Sequence, residues 1–180
     1  MIYLFLADGF EEIEALTPVD VLRRAGLHVT TVAVGDSRIV TGAHGISVVA
    51  DINESEMNDP QPDAIILPGG MPGTLNLDNS SVVHGCLKNA INENVLVCAI
   101  CAAPSILGKV GYLEGKRATC FPGFENELKD ADFTDERVTV DKNVITSKGM
   151  GCAAEFALAI IEALVGKEKA DEVATSAFIR

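Results

Sequence analysis

Cys101 closes an apolar run, Val95-Leu-Val-Cys98-Ala-Ile-Cys101, and is followed by Ala102, Ala103 and Pro104. Side chains this small are what a sharp strand-to-helix turn requires. A thiol held there lies beside the free N–H groups and positive end of a helix, which favour thiolate over thiol. The segment suits a nucleophile, and equally a buried structural cysteine, the commoner fate of a free thiol.

Two further segments carry chemistry. Leu67-Pro-Gly-Gly70-Met-Pro-Gly73 is a glycine-rich turn after a strand-like run, at the edge of a parallel sheet where ligands of such folds bind. The N–H of Gly70 and the one after Cys101, on Ala102, can together form an oxyanion site for a carbonyl under attack. A tight turn would explain the glycines as well, and the absence of a following Gly-Lys-Ser/Thr excludes a Walker loop. Asp8-Gly-Phe-Glu11-Glu12-Ile-Glu14 places three carboxylates in four residues. Acids in a first helical turn serve the helix dipole, but one aimed at Cys101 would have a raised pKa and move protons. Sequence alone does not choose among Glu11, Glu12 and Glu14.

The elements that must position these groups read as an alternation of strand and helix. Residues 2–7, 28–34, 64–67, 95–100 and 144–147 are short apolar or β-branched runs suited to strands buried on both faces. Residues 11–25, 80–92, 103–110 and 153–165 are helical candidates, with Gly26 as a stop and Ser80 or Ser81 as a cap. Pro18 predicts either a kink in the first helix or a restart capped by Thr17. Residues 39–50 and 138–147 read as β-hairpins added to the sheet, and residues 53–63 as a surface connection. The expectation is one domain over residues 1–180, a flavodoxin-like three-layer α/β/α sandwich with a mainly parallel sheet.

The chain carries 14 basic and 26 acidic residues, a formal charge of -12, which disfavours nucleic acid and anionic membranes as partners. Residues 1–7 are apolar but too few for a signal peptide, and no run approaches the ~20 residues of a membrane helix. A cytoplasmic protein is expected. Five cysteines, an odd number, argue against a disulfide framework. Cys98 and Cys101 have dithiol spacing, but residues three apart on a strand point to opposite faces. Cys86, Cys98 and Cys152 read as structural, and His28 and His84 lack metal-ligand spacing, so no metal is expected.

Taken in order, Gly9-Phe-Glu-Glu-Ile-Glu14, Pro18-Val-Asp-Val-Leu-Arg-Arg-Ala-Gly26, Leu67-Pro-Gly-Gly70, Ala99-Ile-Cys-Ala-Ala-Pro104 and Glu155-Phe-Ala-Leu-Ala-Ile160 resemble the ThiJ/PfpI superfamily, in particular its Parkinson-disease protein deglycase branch. The resemblance spans residue 1 to about residue 174. It implies that Cys101 is the nucleophile and that Glu14 is a protonated glutamate bonded to it. It also implies oxyanion donors at Gly70 and Ala102, a second acid near the pocket at Glu11, and a basic residue near a homodimer interface at Arg24.

Two departures qualify the match. Where several members carry a histidine near the cysteine, this chain has Phe121, leaving Glu14 to shuttle protons alone or with His44 of the hairpin reaching over from a partner subunit. Ala102 stands where the peptidase branch has histidine, which disfavours a Cys-His peptidase. Cys120 is either a resolving thiol or a core filler, the latter preferred. The implied activity is glutathione-independent glyoxalase or deglycase chemistry on small dicarbonyls or glycated thiols and amines, without a cofactor. The alternative is a redox-sensing stress protein or chaperone regulated by oxidation of Cys101.

Overall fold

The computed structural model describes residues 1–58, 61–93 and 95–179. In chain order these form β1 (Ile2–Leu6), α1 (Glu12–Arg24), β2 (Val29–Ala33), β3 (Ile39–Thr41), β4 (Ser47–Val49), β5 (Ile52–Asn53), β6 (Ala64–Leu67), α2 (Gly73–Asp78), α3 (Ser81–Glu93) and β7 (Leu96–Ile100). After β7 come α4 (Pro104–Lys109), β8 (Arg117–Ala118), β9 (Asp132–Phe133), β10 (Val138–Asp141), β11 (Val144–Ser147), α5 (Ala153–Val165) and α6 (Lys167–Ser176).

A seven-stranded sheet runs in the order β10-β11-β7-β6-β1-β2-β5. Every neighbouring pair is parallel except β10–β11. Alternation along the strands divides the core in two. Ile2, Leu4, Leu6, Ile66, Cys98 and Ile100 pack with Ala15 and Leu22 of α1 and Phe156 and Ile160 of α5. Tyr3, Phe5, Ile65, Leu67, Val97 and Ala99 face Val83 and Leu87 of α3 and Ile106 and Leu107 of α4. These are the three layers of a flavodoxin-like sandwich. The order reverses between β1 and β6, the switch point at whose carboxyl edge ligands bind.

The differences from the sequence reading have local causes. The first hairpin, β3–β4, is a separate two-stranded sheet rather than an addition to the main one. Its backbone bonds go to the loop after β1 instead: Gly9 N donates to Thr41 O (2.7 Å) and Ala43 N to Phe10 O (2.7 Å). The sheet edge beside β2 is taken by β5, which runs into the stretch read as a connection at Asn53; that stretch also holds a 3-10 turn at Glu54–Glu56. Asp59 and Pro60 of that stretch lie outside the described residues. The hairpin read over residues 138–147 is β10–β11, turning at Lys142 with φ 53. α1 passes through Pro18 without restarting at Thr17, and Ser80 Oγ accepts from Val83 N (3.2 Å) as the cap of α3. α6 has no counterpart in the sequence reading: only Ala170, Val173 and Ala174 of its polar sequence are buried, too thin an apolar stripe to stand out.

Candidate active site

β7 delivers Cys101 one residue beyond its end. There the backbone turns to φ 65, a left-handed conformation that costs a non-glycine residue about 1–3 kcal/mol. Hydrogen bonds on both sides hold it: Cys101 N donates to Ser147 O at the end of β11, and Phe121 N donates to Cys101 O, both at 2.8 Å. The turn lifts the side chain out of the strand, leaving Cys101 half-buried while Cys98 is fully enclosed. It also overturns the opposite-face argument: Cys101 packs against the cluster that contains Cys98. Both are free thiols, as are the other three cysteines.

Glu14 is the acid that reaches the thiol. It lies in the first turn of α1, whose N-cap Glu11 accepts from Glu14 N through Oε2 (2.7 Å). The Glu14 carboxyl is buried, 1% exposed; its Oε2 accepts from Gly69 N (3.0 Å), and the group lies beside Cys101, close enough for each to shift the other's pKa. Gly69 is required by proximity: a Cβ there would stand 2.6 Å from Glu14 Oε2 and 2.7 Å from Cys101 Cβ. Burial, countered in part by Cys101 and by the bond from Gly69 N, pushes Glu14 up to about 7. Burial and then the Glu14 charge push Cys101 up to about 12, while N–H groups of Ala102 and Gly70 pull the other way. Each ionised acid disfavours ionisation of the other, so protons leave the pair in two steps, the first near neutrality.

Of the remaining sequence candidates, Gly70, Ala102 and Glu11 adjoin this pair, whereas His44 and Arg24 are engaged elsewhere. Gly70 (φ 93) and Ala102 present N–H groups to the Cys101 sulfur. Glu11 acts through its cap on Glu14. His44 is engaged elsewhere, its Nδ1 2.8 Å from Glu12 Oε2. His84 Nε2 lies 2.7 Å from Asp78 O, and exposed His28 precedes β2 at the opposite edge of the sheet. Arg24 is exposed and paired with Asp20 (2.8 Å). Cys120 is fully buried in the other layer, among the residues facing α4. Burial, then Glu125, pushes its thiol up to about 12. Glu11, Glu12 and His44 each bring one ligand-capable atom within 4.8 Å of the others, but the hairpin already occupies the Glu12 carboxylate and no metal is assigned there.

Phe121 is 47% exposed. A Cβ on Gly149 would lie 3.4 Å from its ring and 4.0 Å from Glu14 Oε1, so Gly149 and Phe121 form an apolar rim. Sequence reasoning missed Ser147, Gly149 and the N–H of Gly69. Ser147 and Gly149 sit in Ser147-Lys-Gly149, at the carboxyl end of a strand, a position worth reading as a site edge.

A strand-to-helix elbow carrying a strained cysteine, with a buried carboxyl against it at the switch point of a flavodoxin-like sheet, defines a cysteine-centred α/β protein. The chain belongs to the DJ-1/PfpI family, whose model matches residues 1–163. It is 41% identical to Protein DJ-1 homolog A of Arabidopsis thaliana over 178 residues, covering 97% of this chain and 45% of that protein, so it spans less than half of that relative's length. It is 36% identical to the glutathione-independent glyoxalase DJR-1.2 of Caenorhabditis elegans, with 91% of this chain and 87% of that one covered. The solved structure of oxidized Toxoplasma gondii DJ-1 matches at TM-score 0.95 and 36% identity, covering 98% of this chain and 97% of that chain. Among the described residues, no helix is long and apolar enough to cross a membrane.

Proposed function

We propose that this protein is a glutathione-independent glyoxalase in which Cys101 attacks the aldehyde of methylglyoxal or a related dicarbonyl. The observation that carries the reading is the buried Glu14 carboxyl beside a thiol at a strained turn. When the pair loses its first proton, the form with the proton on Glu14 presents a thiolate. That thiolate adds to the aldehyde carbon, and the new alkoxide, held by N–H groups of Gly70 and Ala102, takes the proton from Glu14, which leaves a carboxylate. Glu14 takes the proton from the former aldehyde carbon and returns one to the adjacent carbon through an enediol, which converts the hemithioacetal into a thioester. Water cleaves the thioester, releasing lactate and the thiolate, so the net reaction is methylglyoxal plus water to lactate. The same attack on hemithioacetals or aminocarbinols is deglycation.

The C. elegans relative's name supports this reading. Ala102 after the nucleophile, and histidines engaged elsewhere, speak against a Cys-His peptidase. The reaction needs reduced thiols and no cofactor, which suits the cytoplasm. Exposed Ile13 and Leu16 on α1, with Ile39, Ile46 and Val49 on the hairpin, supply an apolar surface for the homodimer, and Arg24 lies at the far end of α1. A monomeric mass by light scattering at micromolar concentration contradicts the dimer.

The test is lactate formation from methylglyoxal without glutathione, comparing wild type with Cys101→Ser and Glu14→Gln. Loss in both variants supports the mechanism, and turnover that survives Cys101→Ser removes it. A second reading, redox sensing through sulfenic and sulfinic acid at Cys101 with Glu14 bonding the product, is favoured by Phe121 in place of a histidine. Selective gain of two oxygens at Cys101 under mild peroxide, with no lactate formed, selects it.

A further inference from the structure

Glu12 is 4% exposed and points away from the Cys101 pair, toward the loop of the β3–β4 hairpin. Its Oε1 accepts from His44 N (2.8 Å) and Ile46 N (3.4 Å), and its Oε2 pairs with His44 Nδ1 (2.8 Å). Gly42 lies so close that a Cβ there would overlap the carboxylate. Burial pushes the Glu12 carboxyl up, but the His44 ring and the loop N–H groups outweigh it and hold it below its ordinary value. The His44 ring, beside Glu12, is pushed the opposite way.

The bracket is one end of a continuous run of bonds that finishes at the reacting thiol. Thr41 N donates to Asp8 Oδ1 (2.9 Å), Gly73 N to Gly9 O (3.1 Å) and Glu11 N to Gly69 O (2.9 Å). Glu11 caps Glu14, and Glu14 accepts from Gly69 beside Cys101. Residues 8–14 are thus held between the hairpin on one side and the glycine turn on the other. Backbone bonds alone would dock the hairpin. The Glu12 carboxylate adds bonds to His44 and Ile46, which hold the hairpin loop in one arrangement against the first turn of α1.

We propose that Glu12 is a positioning residue for the Glu14–Cys101 pair, acting by locking the hairpin loop onto the first turn of α1. This rests on the reading of Cys101 as the reacting thiol. With the lock released, the first turn of α1 relaxes, water reaches Glu14, and the carboxyl no longer stays against the sulfur.

The test is the rate of Cys101 alkylation by iodoacetamide from pH 5 to 9, followed by mass on the full chain for wild type, Glu12→Gln, His44→Gln and their double variant. In wild type the rate rises as the pair loses its first proton near 7. Glu12→Gln is expected to move that rise to higher pH, because a thiol parted from Glu14 titrates by itself, and to lower the rate at pH 7 at least about threefold. His44→Gln moves it the same way, and the double variant moves it no further than Glu12→Gln. Gly42→Ala displaces the carboxylate without altering it and gives the same shift. Should Glu12→Gln fail to fold, Gly42→Ala and His44→Gln decide the matter by the same shift. A wild-type profile in these variants, or strictly additive effects, overturns the positioning role. If wild-type Cys101 reacts no faster than Cys86, the reading of Cys101 as the reacting thiol fails instead.

Discussion

Cys98 and Cys101 are three residues apart, yet one lies in the interior of β7 and the other at the turn that follows it. Cys98 is fully buried, and burial raises its pKa well above the ordinary value. Cys101 shares the same apolar cluster, but its strained backbone frees the sulfur to meet two N–H groups and the Glu14 carboxyl. Sequence neighbourhood is nearly constant between them, so the difference in chemistry comes from the end of the strand. What separates the two thiols is the left-handed turn at Cys101, where the strand ends.

The largest test of this contrast is Cys101→Ser, expected to lower kcat/KM for methylglyoxal by at least about 10³-fold, whereas Cys98→Ser leaves turnover within about threefold and reduces stability by about 1–3 kcal/mol for a buried hydroxyl. Equal losses in the two variants would collapse the distinction. Next is Glu14→Gln, which keeps an acceptor for Gly69 N but cannot shuttle a proton; kcat should fall about 10²–10³-fold in lactate assays. Smaller again is Gly69→Ala, whose methyl would crowd Glu14 Oε2 and Cys101 Cβ. Its expected cost is about tenfold or more in kcat through misplacement of the pair, with Cys98 protection against alkylation unchanged.

How much of this is legible in the sequence depends on range along the chain. β1, β6, β7 and β11 announce themselves because strands buried on both faces are continuous apolar runs. α1, α3 and α5 do so through stops and caps such as Gly26 and Ser80. The elbow at Cys101 is readable from its small neighbours, because the steric demand is local. The choice of Glu14 over Glu11 and Glu12 is not, since the three differ only in which way the first turn of α1 faces. The family resemblance supplies it, and the geometry agrees. His44, read as a residue reaching over from a partner subunit, pairs with Glu12 within its own chain, a contact between residues 32 apart that no local pattern records. The detachment of β3–β4 from the main sheet is equally hidden: its partners are backbone groups of residues 8–10, which no side-chain pattern records.

The smallest effect, and the sharpest on mechanism, is the pH dependence of stability. Glu14 has an ordinary value of 4.5 and is raised to about 7 in the folded chain. Between these values the folded state binds more protons than the unfolded one, so stability falls as pH rises. The contribution of Glu14 is fully present below about 4.5 and lost by pH values above about 7, an upper limit of about 3 kcal/mol. Glu14→Gln has no such proton to lose. Its Tm relative to wild type should therefore climb by a few degrees between pH 5 and pH 8, while that of Cys98→Ser stays flat because the Cys98 thiol does not ionise in this window. Thermal unfolding at four or five pH values reads both curves. A flat Glu14→Gln difference would place an ordinary, ionised carboxylate beside Cys101, and a carboxylate already charged at pH 5 has no proton to give the alkoxide that forms when the thiolate adds.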